Sequence, residues 1–147
     1  MPKEHHEFYD NLNEKISNWL KSKEGREYKW RNYIKYTPHM FKLICNLSLD
    51  KNVDDEIKGK LAPVVAYFVS PFDHIPEEIW GAVGFSDDLI LSALILKKVY
   101  DDIDDEIIDK YWDSEEQDLQ ELVNNINDSS DQMIEKKYLD KLVDMVE

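Results

Sequence analysis

One cysteine, four glycines and five prolines are all that 147 residues contain of the residues that staple or break a chain. The lone Cys45 has no partner for an internal disulfide and cannot build a thiolate metal site. It sits in FKLICNL at helical spacing from other apolar residues, which places it in the core rather than at a nucleophilic site. So few breakers over this length favour long helices over a many-stranded sheet. Long hydrophobic runs are missing as well. The longest, Leu61–Val69 and Leu89–Leu96, each cover less than half of a bilayer's hydrocarbon core at about 1.5 Å per residue. The opening stretch MPKEHHEFYDNL has no apolar run of the signal-peptide kind, so a cytoplasmic chain without a transmembrane segment is expected. Positive charge is also in deficit. A net charge of −14 argues against general nucleic-acid binding, which needs a cationic surface.

What is present is 42% apolar and 34% charged residues, enough for one hydrophobic core and too apolar for a disordered chain. The expectation is a single helical domain over residues 1–147. Its charge is segregated. Residues 101–131 hold thirteen acids and one lysine, whereas residues 1–51 carry a net +3. The plain interpretation is a solvated acidic helical face. The sharper one is a surface for a basic partner, or packing of the acidic half onto the basic half.

Apolar periodicity predicts an all-α bundle of about seven to eight helices. The first runs Glu4 to Lys23 with Phe8, Leu12, Ile16, Trp19 and Leu20 in one stripe, and Gly25 stops it as a C-terminal cap residue. A short basic, aromatic helix follows in REYKWRNYIKY. Thr37 as N-cap and Pro38 at the first helical position open a third helix, ending near Leu49. A fourth spans about Val53 to Val69, with a kink or a late start expected where the Pro63 ring meets the Gly59 carbonyl. Asp87 to about Tyr100 is apolar on nearly all sides and belongs at the centre. Beyond it come a short helix near Ile103–Trp112, one opened by a capping box at Ser114–Gln117, and, after a loop at NDSSD, a last one capped by Ser129.

Between the fourth and the central helix lies Tyr67 to Leu89, YFVSPFDHIPEEIWGAVGFSDDL. Its acids admit two interpretations. In one, each serves a helix end: Ser86 as N-cap with Asp87 and Asp88 in the first turn, Pro76 with Glu77 and Glu78 in another, Asp73 in an Asx-turn. In the other, Asp73, Asp87 and Asp88 converge on a divalent cation, Mg²⁺ or Ca²⁺, or Mn²⁺ if His74 joins. No Ser–His or Cys–His pairing, phosphate loop or HExxH accompanies them, so no catalytic residue is assigned. His5, His6 and Asp10 suit a solvated terminus, and His39 a surface position. YKWRNYIKY interleaves bases with aromatics, a pattern used for single-stranded nucleic acid. Against this stand the net charge and the equally good reading that Trp30 and Tyr33 are core while the Lys and Arg side chains snorkel. A peripheral membrane or protein contact is a further alternative.

The pattern Tyr67-x-x-Ser70-Pro71-x-Asp73-x-Ile75-Pro76, followed by Gly81, Gly84 and Asp87-Asp88-Leu89, resembles the signature of the YkvA-like family, domain of unknown function 1232. The resemblance covers roughly residues 36–99, with residues 101–147 as an acidic helical extension. It departs from the usual pattern at His74, where Leu is common, and at Glu77, where Asp is common. The resemblance implies a small helical domain and no assigned activity. Together these readings lead to an expected non-enzymatic interaction or scaffold domain with an unknown protein partner. A metal-binding or metal-dependent hydrolytic domain using Asp73, Asp87 and Asp88 is the alternative.

Overall fold

A computed structural model describes residues 3–69, 82–113 and 118–146. Helix α1, Lys3–Lys21, buries Leu12 and Ile16 and leaves Phe8, Trp19 and Leu20 half-buried on the same stripe, as the spacing predicts. Gly25 departs from its expected role. It lies inside a second, five-residue helix, α2 (Lys23–Glu27), whose N-cap Ser22 accepts from the Gly25 N–H at 3.1 Å. A Cβ at Gly25 would stand 1.9 Å from the Trp19 carbonyl oxygen, so glycine is required by the close approach of α2 to the end of α1. Arg31, the first residue of α3 (Arg31–Ile34), locks this corner. Its Nε donates to the Gly25 carbonyl at 3.1 Å and its Nη2 to that of Leu20 at 3.4 Å.

Helix α4, Thr37–Leu49, starts one residue earlier than expected. Tyr36 takes the N-cap position, and the buried Thr37 hydroxyl donates to the Ile34 carbonyl at 2.8 Å. Six of its side chains, from Met40 to Leu47, are fully buried, Cys45 among them. Rings step inward from α1 through α4 to α5 (Asp55–Val69): Phe8 to Phe41 at 4.8 Å, then Phe41 to Phe68 at 5.2 Å. Helix α5 runs continuously through Pro63. The proline is exposed, so the carbonyl it leaves without a partner, that of Gly59, is on a side where water can serve.

Helix α6, Ala82–Val99, is the centre of the bundle. It packs against α3, α4 and α5 from the amino-terminal half and against α8 and α9 from the other, and from Phe85 to Leu96 only Leu94 is less than buried. The apolar composition of this stretch explains that position. Its start, however, lies five residues before the expected Asp87, so Gly84 and Ser86 are helical residues rather than breaker and cap.

After a 3₁₀ turn at Tyr100–Asp102, α7 (Asp105–Tyr111) begins behind Asp104, whose Oδ1 accepts from the Glu106 N–H at 3.1 Å. Helix α8, Leu119–Met133, is capped by Asp118, which accepts from Glu121 N–H at 3.0 Å. The expected box at Ser114–Gln117 lies outside the described residues; the N-cap of this helix is Asp118. NDSSD is not a loop. Residues 127–131 continue α8, because their polar groups find helical carbonyls: Asn127 Nδ2 donates to Ala93 O on α6 at 3.1 Å and to Val123 O at 2.9 Å, and Ser130 to Asn127 O at 2.9 Å. The last helix, α9 (Lys136–Val146), therefore starts at Lys136 and not at Ser129. Among the described residues every regular element is helical, and no helix is long and apolar enough to cross a membrane.

Candidate functional site

The first full turn of α6 that carries described side chains, Phe85-Ser86-Asp87-Asp88, holds the polar residues that demand an account. Successive helical residues point about 100° apart, so four in a row face all directions around the axis. All four are buried, with Ser86 fully inside and Asp87 and Asp88 each 1% exposed. This turn is therefore enclosed from every side. A carboxylate in such a place is strongly destabilising unless hydrogen-bonded or compensated.

Two neighbouring elements supply partners. Tyr67, near the end of α5, donates its phenol proton to Asp87 Oδ2 in a short contact. Tyr28, which follows α2, places its hydroxyl 3.1 Å from Ser86 Oγ. Burial pushes the Tyr28 phenol above its ordinary value of 10.0, the Ser86 hydrogen bond works in the opposite direction, and the charge of Glu24 adds to the rise. The indole of Trp19 closes this flank, 5.5 Å from the Tyr28 ring and 5.8 Å from that of Phe85. One turn on, the Ser92 hydroxyl donates to the Asp88 carbonyl at 2.9 Å. The arrangement ties a buried carboxyl group on α6 to a phenol on α5. Among the described residues no nucleophile stands beside a general base here.

Of the residues singled out in the sequence, Tyr67 and Asp87 are thus brought together. Asp88 lies beside them on α6, and Gly84 is in the same helix. Ser70, Pro71, Asp73, His74, Ile75, Pro76, Glu77, Glu78 and Gly81 lie outside the described residues. Among the described residues no group of three or more His, Cys, Asp or Glu side chains is gathered as metal ligands would be. The capping role expected for Ser86, Asp87 and Asp88 does not hold, because α6 begins at Ala82 and its first turn contains no acid.

Tyr28 was not visible from its sequence context. It belongs to the basic, aromatic stretch, and its partner is 58 residues away. A second tie was equally hidden. Asp113, after α7, is held by His39 Nδ1 at 2.9 Å and Lys42 Nζ at 3.3 Å, both on α4. Beside it, Tyr111 donates to Asp50 Oδ2 at 2.5 Å. The acidic region is thus pinned to the amino-terminal half at Asp113, and His39 has a partner rather than open solvent. His6 and Asp10, by contrast, sit 3.6 Å apart with both side chains largely exposed, the solvated pair their position suggested. Cys45 is confirmed as core, its thiol pushed by burial up to about 12. Such a thiol is inert at neutral pH.

The described part of the site is an enclosed Tyr–Asp contact at the junction of two core helices. Comparison with known proteins places it more narrowly. Residues 58–94 match the family model of a protein of unknown function, DUF1232, the family whose signature Tyr67 to Leu89 resembles. That segment runs from within α5 to within α6 and contains Tyr67, Asp87 and Asp88. An uncharacterized protein, ORF9, of Methanothermobacter thermautotrophicus is 30% identical over 87 residues, which is 59% of this chain and 60% of the relative. The chain therefore spans about 60% of that relative's length. No solved structure matches.

Proposed function

We propose that this chain is a non-enzymatic helical interaction domain, one unit over residues 1–147 in the cytoplasm, that presents its acidic carboxy-terminal region to a basic protein partner. The observation that carries the proposal is exposure. All eleven described acids between residues 101 and 131 are exposed, on a stretch whose one base is Lys110. An acidic face of this density attracts cationic surfaces over a Debye length of about 8–10 Å at ordinary salt. The buried Tyr67–Asp87 contact serves as scaffold in this reading, fixing α5 against α6. A pull-down at low and then high salt tests it. A basic protein retained at low salt and shed at high salt is expected, and an empty low-salt eluate would remove the proposal.

A second reading is favoured by one specific observation. Asp87 and Asp88 are buried inside α6 without serving as caps, and two adjacent buried carboxylates suit a positive partner. In that reading Asp73 joins them around Mg²⁺, Mn²⁺ or Ca²⁺, with metal-dependent hydrolysis as the activity such a centre would support. Titration calorimetry and melting curves with each cation decide. Binding abolished by Asp87→Asn supports the centre, and unchanged melting with all three cations rules it out.

A further inference from the structure

A groove of about 290 Å³ opens between the start of α5 and the start of α7. Its floor is apolar: Val53, Ile57 and Ile103 are buried and Ile107 half-buried. Its lip is acidic, with Asp54, Asp102 and Asp104 all exposed. Two of these carboxylates are held in place by helix starts. Asp54 Oδ1 accepts from Glu56 N–H at 3.3 Å and Asp104 Oδ1 from Glu106 N–H at 3.1 Å. The volume lies at the lower edge of the roughly 300–1,000 Å³ of small-molecule pockets, which suits one long side chain better than a cofactor. An apolar floor below an acidic lip is the complement of a side chain with an aliphatic stem and a cationic head.

We infer that this groove receives one arginine or lysine from a basic peptide segment of the partner. The inference rests on the acidic-face reading and deepens it: the general attraction comes from the whole face, and the register from this groove. The stem lies on Ile57, Ile103 and Ile107, and the head meets the lip. An arginine fork engages carboxylates through two parallel N–H bonds, and its weak hydration makes it the better fit of the two.

The test titrates an amphipathic Arg/Leu peptide into the full chain at low salt, with a second peptide in which citrulline replaces arginine. Asp102→Asn is expected to weaken binding about fivefold, the size of one exposed ion pair. Ile107→Trp, which fills the groove without changing charge, is expected to weaken it at least as much while circular dichroism confirms the fold. Asp128→Asn, exposed in the same acidic stretch but not lining the groove, is expected to leave binding nearly unchanged, and the citrulline peptide to bind poorly. Equal losses for Asp102→Asn and Asp128→Asn, with none for Ile107→Trp, would overturn the groove and leave the acidic-face reading standing. Undiminished binding of the citrulline peptide would overturn the cationic head. Failure of the arginine peptide to bind at all counts against both readings. Should Ile107→Trp not fold, the comparison of the two asparagine variants and the two peptides still decides.

Discussion

Replacing Tyr67 by phenylalanine removes one oxygen atom and leaves the ring, so it deletes the phenol's hydrogen bond to Asp87 without opening a cavity. Tyr67 is at the boundary of burial and Asp87 is 1% exposed, so water cannot readily take the phenol's place. A hydrogen bond to a charged group contributes about 1.5–3 kcal/mol, and a carboxylate deprived of it in a buried site bears much of the desolvation penalty. The expected loss for Tyr67→Phe is therefore about 1.5–3 kcal/mol, or about 3–12 °C in melting temperature for a chain of this size. Urea denaturation followed by circular dichroism gives the free energy, and the slope reports whether the native state has stayed compact. Asp87→Asn, alone and combined with Tyr67→Phe, completes a double-mutant cycle. The asparagine oxygen can still accept the phenol proton, so the cycle isolates the contribution of the charge. A Tyr67→Phe loss below about 0.5 kcal/mol, the range of an ordinary surface change, together with no coupling, would refute the contact as a structural tie.

Three further outcomes are expected. Gly25→Ala should destabilise the chain by about 1–3 kcal/mol in the same assay, because the new Cβ collides with backbone rather than with a movable side chain. Tyr111→Phe should raise the carboxyl of Asp50, which the Tyr111 hydroxyl, the Asn52 N–H and the nearby lysines hold below its ordinary 3.8. A folded-state value below the unfolded one contributes stability that is present above the unfolded value and disappears as pH falls through the folded one. The wild-type advantage over Tyr111→Phe should therefore fade on acidification, and an NMR titration of the Asp50 carboxyl checks the direction. Cys45 should resist thiol reagents in the native chain at neutral pH and react once urea unfolds it, and rapid native labelling would contradict its burial.

Helix α6 was legible from Leu89 to Val99 because burial on all sides needs no amphipathic pattern to announce it. Its first turns were not. Gly84 and Ser86 carry the local chemistry of a stop and a cap, yet helix geometry extends through both because that turn is enclosed by Tyr28, Tyr67 and Trp19 from elsewhere in the chain. The same override explains residues 127–131. Five turn-forming residues in a row suggest a loop, but Asn127 reaches the Ala93 carbonyl across the bundle. Gly25 was legible as a special position and misassigned in kind, since a missing side chain serves a close approach as well as it serves a cap. Of the candidate site, Tyr67 and Asp87 were visible individually. Their pairing was not, because it depends on how α5 and α6 pack and not on any local spacing.

The position of α6 has a consequence for modularity. The stretch that matches the family model, residues 58–94, contains most of this helix but none of α3, α4, α8 or α9, which cover it. Cut out alone, it would expose the apolar surface of an enclosed helix together with two aspartates that have lost their shelter. It is a shared motif and not a transplantable unit. Any chain that carries it has to bring its own walls.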